Sequence, residues 1–249
     1  MPVARRLFLS SLALTPVLAQ ASEEVKLYAY HLKVPYMDHL GRQEGLYFDL
    51  AELLTLRIPG LRFRTQYLPR RRLEADLLAG RLDGLVIGVH PNWFKDKERT
   101  RYLWSPPLMR DADVVVSRHD KPVAYSGPES LAGLRLALPR GYYYFGVDEL
   151  VQEGRIQRED SESEETALMM LSLGRADATI TTRRTLYVLL SRRPGLRGQF
   201  HVASQPHDEF ERYILIPPHK AHLHKPVSEA LLLLARDPAW QYRLQERGP

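Results

Sequence analysis

Apolar and polar positions along the chain switch between a period of two and a period near 3.6, and the switches mark out elements. Residues 25–30 alternate like a strand, whereas residues 48–57 carry Leu50, Leu53 and Leu54 at helical spacing and end at Ile58-Pro59-Gly60. A strand is predicted at 61–67, a helix at 73–79 closed by Gly80, and an apolar strand at 84–89. The rhythm returns in the second half, with a strand at 134–138 and helices at 143–152 and 163–173, the latter closed by Gly174. A strand at 178–181 and a helix at 185–191 follow. Strands alternating with helices in this order predict α/β lobes with mixed, mostly parallel sheets.

One segment occurs twice in character. Leu77-Leu78-Ala79-Gly80-Arg81-Leu82-Asp83-Gly84 is echoed by Leu171-Ser172-Leu173-Gly174-Arg175-Ala176-Asp177-Ala178. Each copy offers a helix end, a glycine suited to the left-handed position after it, a basic residue, and an aspartate entering a buried strand. One copy in each half fits two similar lobes.

The first 21 residues read differently. Arg5-Arg6 precede an apolar run, 7–18, and the stretch ends on Ala19-Gln20-Ala21 before polar Ser22-Glu23-Glu24. Charged start, short apolar run and small-residue end form the pattern of a cleaved export signal, 1–21, through the Sec route or, given the paired arginines, the Tat route. A periplasmic protein is the expectation. No cysteine occurs, so disulfides, thiolate metal sites and a catalytic thiol are excluded. The formal net charge of +5, two units of it from Arg5 and Arg6, is too small a bias to point to nucleic acid. His219, His222 and His224 have loosely metal-like spacing but no carboxylates beside them, and a solvated loop is expected. No nucleophile elbow, zinc-protease helix or phosphate loop is present, and neither cofactor, metal nor catalytic residue is expected.

Several further segments, taken in order, resemble the polar amino-acid-binding family of periplasmic solute receptors of ABC importers. They are Gly45-Leu46-Tyr47-Phe48-Asp49-Leu50-Ala51, the paired turns above, Glu98-Arg99 before Tyr102-Leu103-Trp104-Ser105-Pro106, and Leu131-Ala132-Gly133-Leu134-Arg135 with Gly141. The resemblance implies a two-lobed fold of the type II periplasmic-binding-protein kind with two hinge crossovers, near 109–116 and 202–213. Lobe 1 would comprise 22–112 plus 204–249 and lobe 2 would comprise 113–203. It also implies a monomer that closes on an amino acid or related carboxylate and delivers it to a membrane permease. Two other functions stay open: an enzyme on the same fold, such as a cyclohexadienyl dehydratase, and a receptor for a membrane signalling protein.

The resemblance also nominates residues for the cleft. Arg99 matches the arginine that grips a ligand carboxylate, for which the guanidinium fork is suited. Tyr30 and Lys33 follow the first strand, Arg70 opens the second helix, and Trp93 lies in an insertion before Arg99. Tyr142 and Tyr143 follow Gly141, where a helix start would present free N–H groups. Thr182 stands where α-amino-binding relatives carry an aspartate. With Thr182 neutral and Lys33 and Arg70 basic, the expected cleft is positive and the expected ligand anionic.

Overall fold

The computed structural model describes residues 22–38 and 40–248; the expected export signal, 1–21, lies outside the described residues. The first half runs β1 (Glu23–Ala29), α1 (Leu46–Arg57), β2 (Leu61–Tyr67), α2 (Arg70–Leu78), β3 (Gly84–Val89) and β4 (Leu103–Trp104). The long strand β5 (Met109–Arg118) leads to β6 (Arg135–Pro139), α3 (Val147–Gln152), β7 (Gln157–Ser161), α4 (Glu164–Ser172), β8 (Ala178–Thr182), α5 (Arg183–Arg192) and β9 (Phe200–Val202). The chain then returns through β10 (Asp208–Ile216) to α6 (His224–Leu234) and α7 (Pro238–Glu246).

The strands lie in the order β2-β1-β3-β10-β5-β8-β6-β7, with β4 beside β10 and β9 beside β5. Pairing is parallel within β2-β1-β3 and within β8-β6-β7, the arrangement expected of strand–helix repeats. Strands β5 and β10 pair with each other antiparallel, Met109 opposite Arg212 and Asp113 opposite Asp208. These two strands are the two expected crossovers, and they join the halves of the molecule. Where β10 passes from β5 to β3, its register shifts between Tyr213 and Ile214.

Parallel strands covered on both faces should be continuously apolar, and β3 shows why. Leu85 and Ile87 enter a core with Leu27, Leu50, Leu54 and Trp240, while Val86 and Val89 enter another with Leu73 and Leu215. These two cores draw on residues 25–109 and 213–244. The remaining buried clusters draw on residues 112–203, with Val115 on one face of β5 and Val114 and Val116 on the other.

The twin turns do the same work in each half. Gly80 and Gly174 take left-handed φ values of 67° and 71° at the ends of α2 and α4. Asp83 then accepts hydrogen bonds from Lys26 at 2.6 Å and from the Tyr28 hydroxyl at 2.5 Å, while Asp177 accepts from the Arg135 amide at 2.9 Å. Each aspartate anchors the neighbouring parallel strand.

Two expectations are corrected. The helix expected at 143–152 begins only at Val147, because Gly146 is left-handed and the Asp148 side chain takes the Tyr144 amide at 2.6 Å. The stretch with the three histidines is solvated as expected, with His219 and His222 exposed, but it is a short ordered turn and not an open loop. His219 and His224 bond the carbonyls of Leu82 (2.9 Å) and Trp104 (3.1 Å), on a short 3-10 turn and the start of α6. Among the described residues no group of histidine and carboxylate side chains could hold a metal, and no helix is long and apolar enough to cross a membrane.

Candidate functional site

The segment after β1 carries the site's first wall. Tyr30 and His31 stack with ring centroids 3.9 Å apart, and His31 meets the edge of Trp93 at 5.6 Å. Trp93 comes from the 3-10 turn Pro91–Phe94 that follows β3, so strand ends of one sheet supply all three rings. The opposite wall is Tyr142, on the turn after β6. Its ring stands edge-on to His31 at 6.1 Å and 5.4 Å from the Lys33 ammonium. Tyr30, Lys33, Trp93 and Tyr142 are thus brought together across as many as 112 positions of sequence.

Lys33 does not face the cleft as a free cation. Its Nζ lies 2.5 Å from Glu164 Oε1, both side chains are buried, and Glu164 also accepts from the Thr181 hydroxyl at 2.6 Å. Arg70 is committed as well, to Glu74 at 2.9 Å and to the Trp93 carbonyl at 2.8 Å, with its guanidinium 5.0 Å over the Tyr30 ring. The floor carries a third cation, Arg212 on β10, which is 1% exposed. It bonds Asp111 through Nε at 3.0 Å and Nη2 at 2.9 Å, and the Gly88 carbonyl at 3.0 Å. Tyr36 donates to the same Asp111 carboxylate. A buried arginine needs such a full set of acceptors.

Two groups in this region lack partners. His31 is 7% exposed and its Nδ1 makes no hydrogen bond. Burial, and then the charges of Arg212, Lys33 and Arg70, hold its pKa well below the ordinary value, so the ring is neutral at pH 7. Asp113 on β5 is half-buried, and its carboxylate forms no hydrogen bond or ion pair among the described residues. Burial pushes its pKa up to about 7; Lys33 and Arg212 oppose the rise, and Glu164 and Asp111 add to it. The cleft is therefore not the positive one expected from Lys33, Arg70 and Thr182. Each of its three cations already has a carboxylate, and a further carboxylate is left over.

The other nominated residues make different contacts. Arg99 is exposed in a left-handed conformation, φ 55°, with its guanidinium 4.6 Å over the ring of buried Tyr213. The loop around it is organised by Asp96, a residue the sequence did not single out. Asp96 is buried, which raises its pKa, but the Trp104 indole at 2.8 Å and the amides of Thr100, Arg101 and Tyr102 hold it below the usual value. Tyr143 is 61% exposed and donates to Glu149. Thr182 is buried and bonds Thr185 at 2.7 Å; Thr185 in turn donates to the Val34 carbonyl at 2.6 Å.

The segment 31–38 is stitched to the far side of the cleft at several further points. Arg192 of α5 bonds Asp38 at 2.8 Å, and a cavity of about 560 Å³ lies between Leu32, Lys33, Asp38, Glu164, Thr185 and Arg192. Arg184 of α5 reaches in the same direction, donating to the carbonyls of Leu244 (2.7 Å) and Gly248 at the end of α7.

No family model matches the chain, and no curated protein matches it. Solved structures do. An ancestral arginine-binding protein bound to arginine aligns over 91% of this chain and 98% of its own at 14% identity, TM-score 0.70. The substrate binding protein of an amino acid ABC transporter aligns over 90% and 98% at 16% identity, TM-score 0.65. An ancestral amino acid-binding protein, a precursor of cyclohexadienyl dehydratase, aligns over 91% and 95% at 15% identity, TM-score 0.68. At these identities the likeness speaks to architecture. With the strand order and crossovers above, the chain has the two-lobed α/β fold of the periplasmic binding proteins.

Proposed function

We propose that the protein is a periplasmic substrate-binding protein that captures a small polar solute, an amino acid or a related carboxylate, for the membrane permease of an ABC importer. The observation that carries this reading is the convergence of Tyr30, His31, Lys33 and Trp93 with Tyr142 and Glu164 beside the paired strands β5 and β10. Such a crevice, at strand ends and between two bodies, is where α/β folds bind ligands. Lobe 1 in this reading is 22–112 plus 204–249 and lobe 2 is 113–203, with the buried clusters divided on nearly the same lines. Ligand contacts made by both lobes would favour the closed arrangement. The named ligands of the similar structures, arginine among them, suit a cleft of this kind.

The test is a thermal-shift screen of the mature protein against the twenty L-amino acids and a set of dicarboxylates, followed by calorimetry. Micromolar or tighter binding, with a smaller radius of gyration by X-ray scattering once bound, is expected. Absence of binding to any member would remove the reading.

One observation favours a second reading, an enzyme on the same fold. A cleft that offered only threonine and arginine would have little acid–base chemistry, but His31, Asp113 and Glu164 all border this one. Turnover of prephenate or arogenate by the purified protein would replace the receptor reading with that one.

A further inference from the structure

We propose that Asp113 is the anchor for a protonated amine on the bound solute, so that the ligand class is a small amine-bearing molecule and not a dicarboxylate. The proposal rests on the solute-receptor reading and names the chemistry of its site.

The cations bordering the cleft are already matched. Arg212 is matched by Asp111, Lys33 by Glu164 and Arg70 by Glu74. A ligand carboxylate would have to compete with a buried carboxylate for any of them. Above pH 7, where Asp113 is mostly ionised, it would also meet an unpaired carboxylate. Like charges in a water-poor crevice repel strongly. A protonated amine meets the opposite situation. Asp113 has both oxygens free of hydrogen bonds, and an ammonium has three donors to give.

The position on the strand supports the same assignment. Asp113 stands directly opposite Thr182 in the antiparallel pair β5–β8. The sequence lacks an acid at Thr182, yet the neighbouring strand places one across the ladder from it. The carboxylate is displaced by one strand, about 5 Å, and not lost. Thr181, next to Thr182 on β8, bonds Glu164, which pairs with the Lys33 ammonium 5.4 Å from the Tyr142 ring, so this end of β8 borders the aromatic wall of the cleft.

Calorimetry on the mature wild-type protein and the Asp113→Asn and Asp113→Glu variants tests this, at pH 8. The probes are the twenty L-amino acids, putrescine and spermidine on one side, and succinate, malate, 2-hydroxyglutarate, 2-oxoglutarate and citrate on the other. The expected result is that only amine-bearing probes bind wild type. Asp113→Asn then weakens the tightest of them by about 10- to 100-fold, the loss of one charge-assisted contact. Asp113→Glu, which keeps the charge, recovers part of that loss. Tighter binding of an amine-free probe, or an Asp113→Asn affinity within about 3-fold of wild type, would overturn the proposal and leave the receptor standing. Failure of every probe on both sides would overturn the receptor reading itself, and the anchor with it.

Discussion

Removing one half of the Lys33–Glu164 pair is expected to cost far more than removing both. The two groups are 2.5 Å apart, and their side chains are 9% and 3% exposed. At an effective dielectric constant of about 20, charges at that distance attract by roughly 6–7 kcal/mol. Desolvation of the two ions costs several kcal/mol each, so the intact pair is close to neutral against an apolar pair of similar size. Lys33→Met takes away the attraction and leaves Glu164 with only the Thr181 hydroxyl and its burial. The expected loss is about 3 kcal/mol, toward the lower end of the range for an orphaned buried charge because that hydroxyl remains. Glu164→Gln should cost a similar amount by leaving the ammonium unmatched. The double variant Lys33→Met/Glu164→Gln should recover most of the loss, with a coupling of at least about 2 kcal/mol. Urea unfolding of the four proteins at pH 7.5, followed by tryptophan fluorescence, gives the cycle. A Lys33→Met protein within about 1 kcal/mol of wild type, or strictly additive single variants, would refute the reasoning and mark the pair as solvated.

Two other outcomes follow from the buried polar groups. Asp113 has its folded-state pKa raised to about 7 against about 4 unfolded, so between those values the folded state holds more protons. Its contribution to stability is therefore fully present below pH 4 and lost as pH rises through 7; Asp113→Asn should gain on wild type between pH 5 and pH 8, by at most about 3 kcal/mol, read from urea midpoints at the two pH values. Arg184→Ala should strip the last-turn carbonyls of α7 of their cation and cost about 1–3 kcal/mol, seen as faster amide hydrogen exchange in 238–246 while β1 and β3 stay protected.

What was legible in the sequence was local. The turns at Gly80 and Gly174 combine a helix end, a left-handed residue and a strand-anchoring aspartate within a few positions, and such chemistry can be read in one dimension. The two crossovers were legible as well, from the order of the segments that resemble the family. The balance of charge in the cleft was not. Lys33 looks like a free cation until the fold brings Glu164 to it from 131 positions away. Asp113 carries no signal of its own until the pairing of β5 with β8 sets it opposite Thr182. Arg99 has the right neighbours in sequence, but its contact with the Tyr213 ring, and the gathering of the following loop amides by Asp96, appear only in the fold. The late start of α3 depended on a side-chain cap, Asp148 on the Tyr144 amide, that periodicity cannot register.

The shift in pairing at Tyr213/Ile214 has a mechanical consequence. A strand shared by two sheets behaves as a beam, and bending a beam across an unbroken ladder would strain every hydrogen bond it carries. At a bulge the ladder is already interrupted and the backbone already twisted, so bending there breaks the fewest bonds. The Arg212–Asp111 clamp sits one residue from that point and locks the stretch beside it. In the closing motion that the proposed function requires, rotation of one half against the other would have a fulcrum of about two residues, stiff on the side of β5 and compliant on the side of β3. A small displacement at the cleft would be carried as a lever arm to the outer strands β2 and β7, with little distortion of the sheets between.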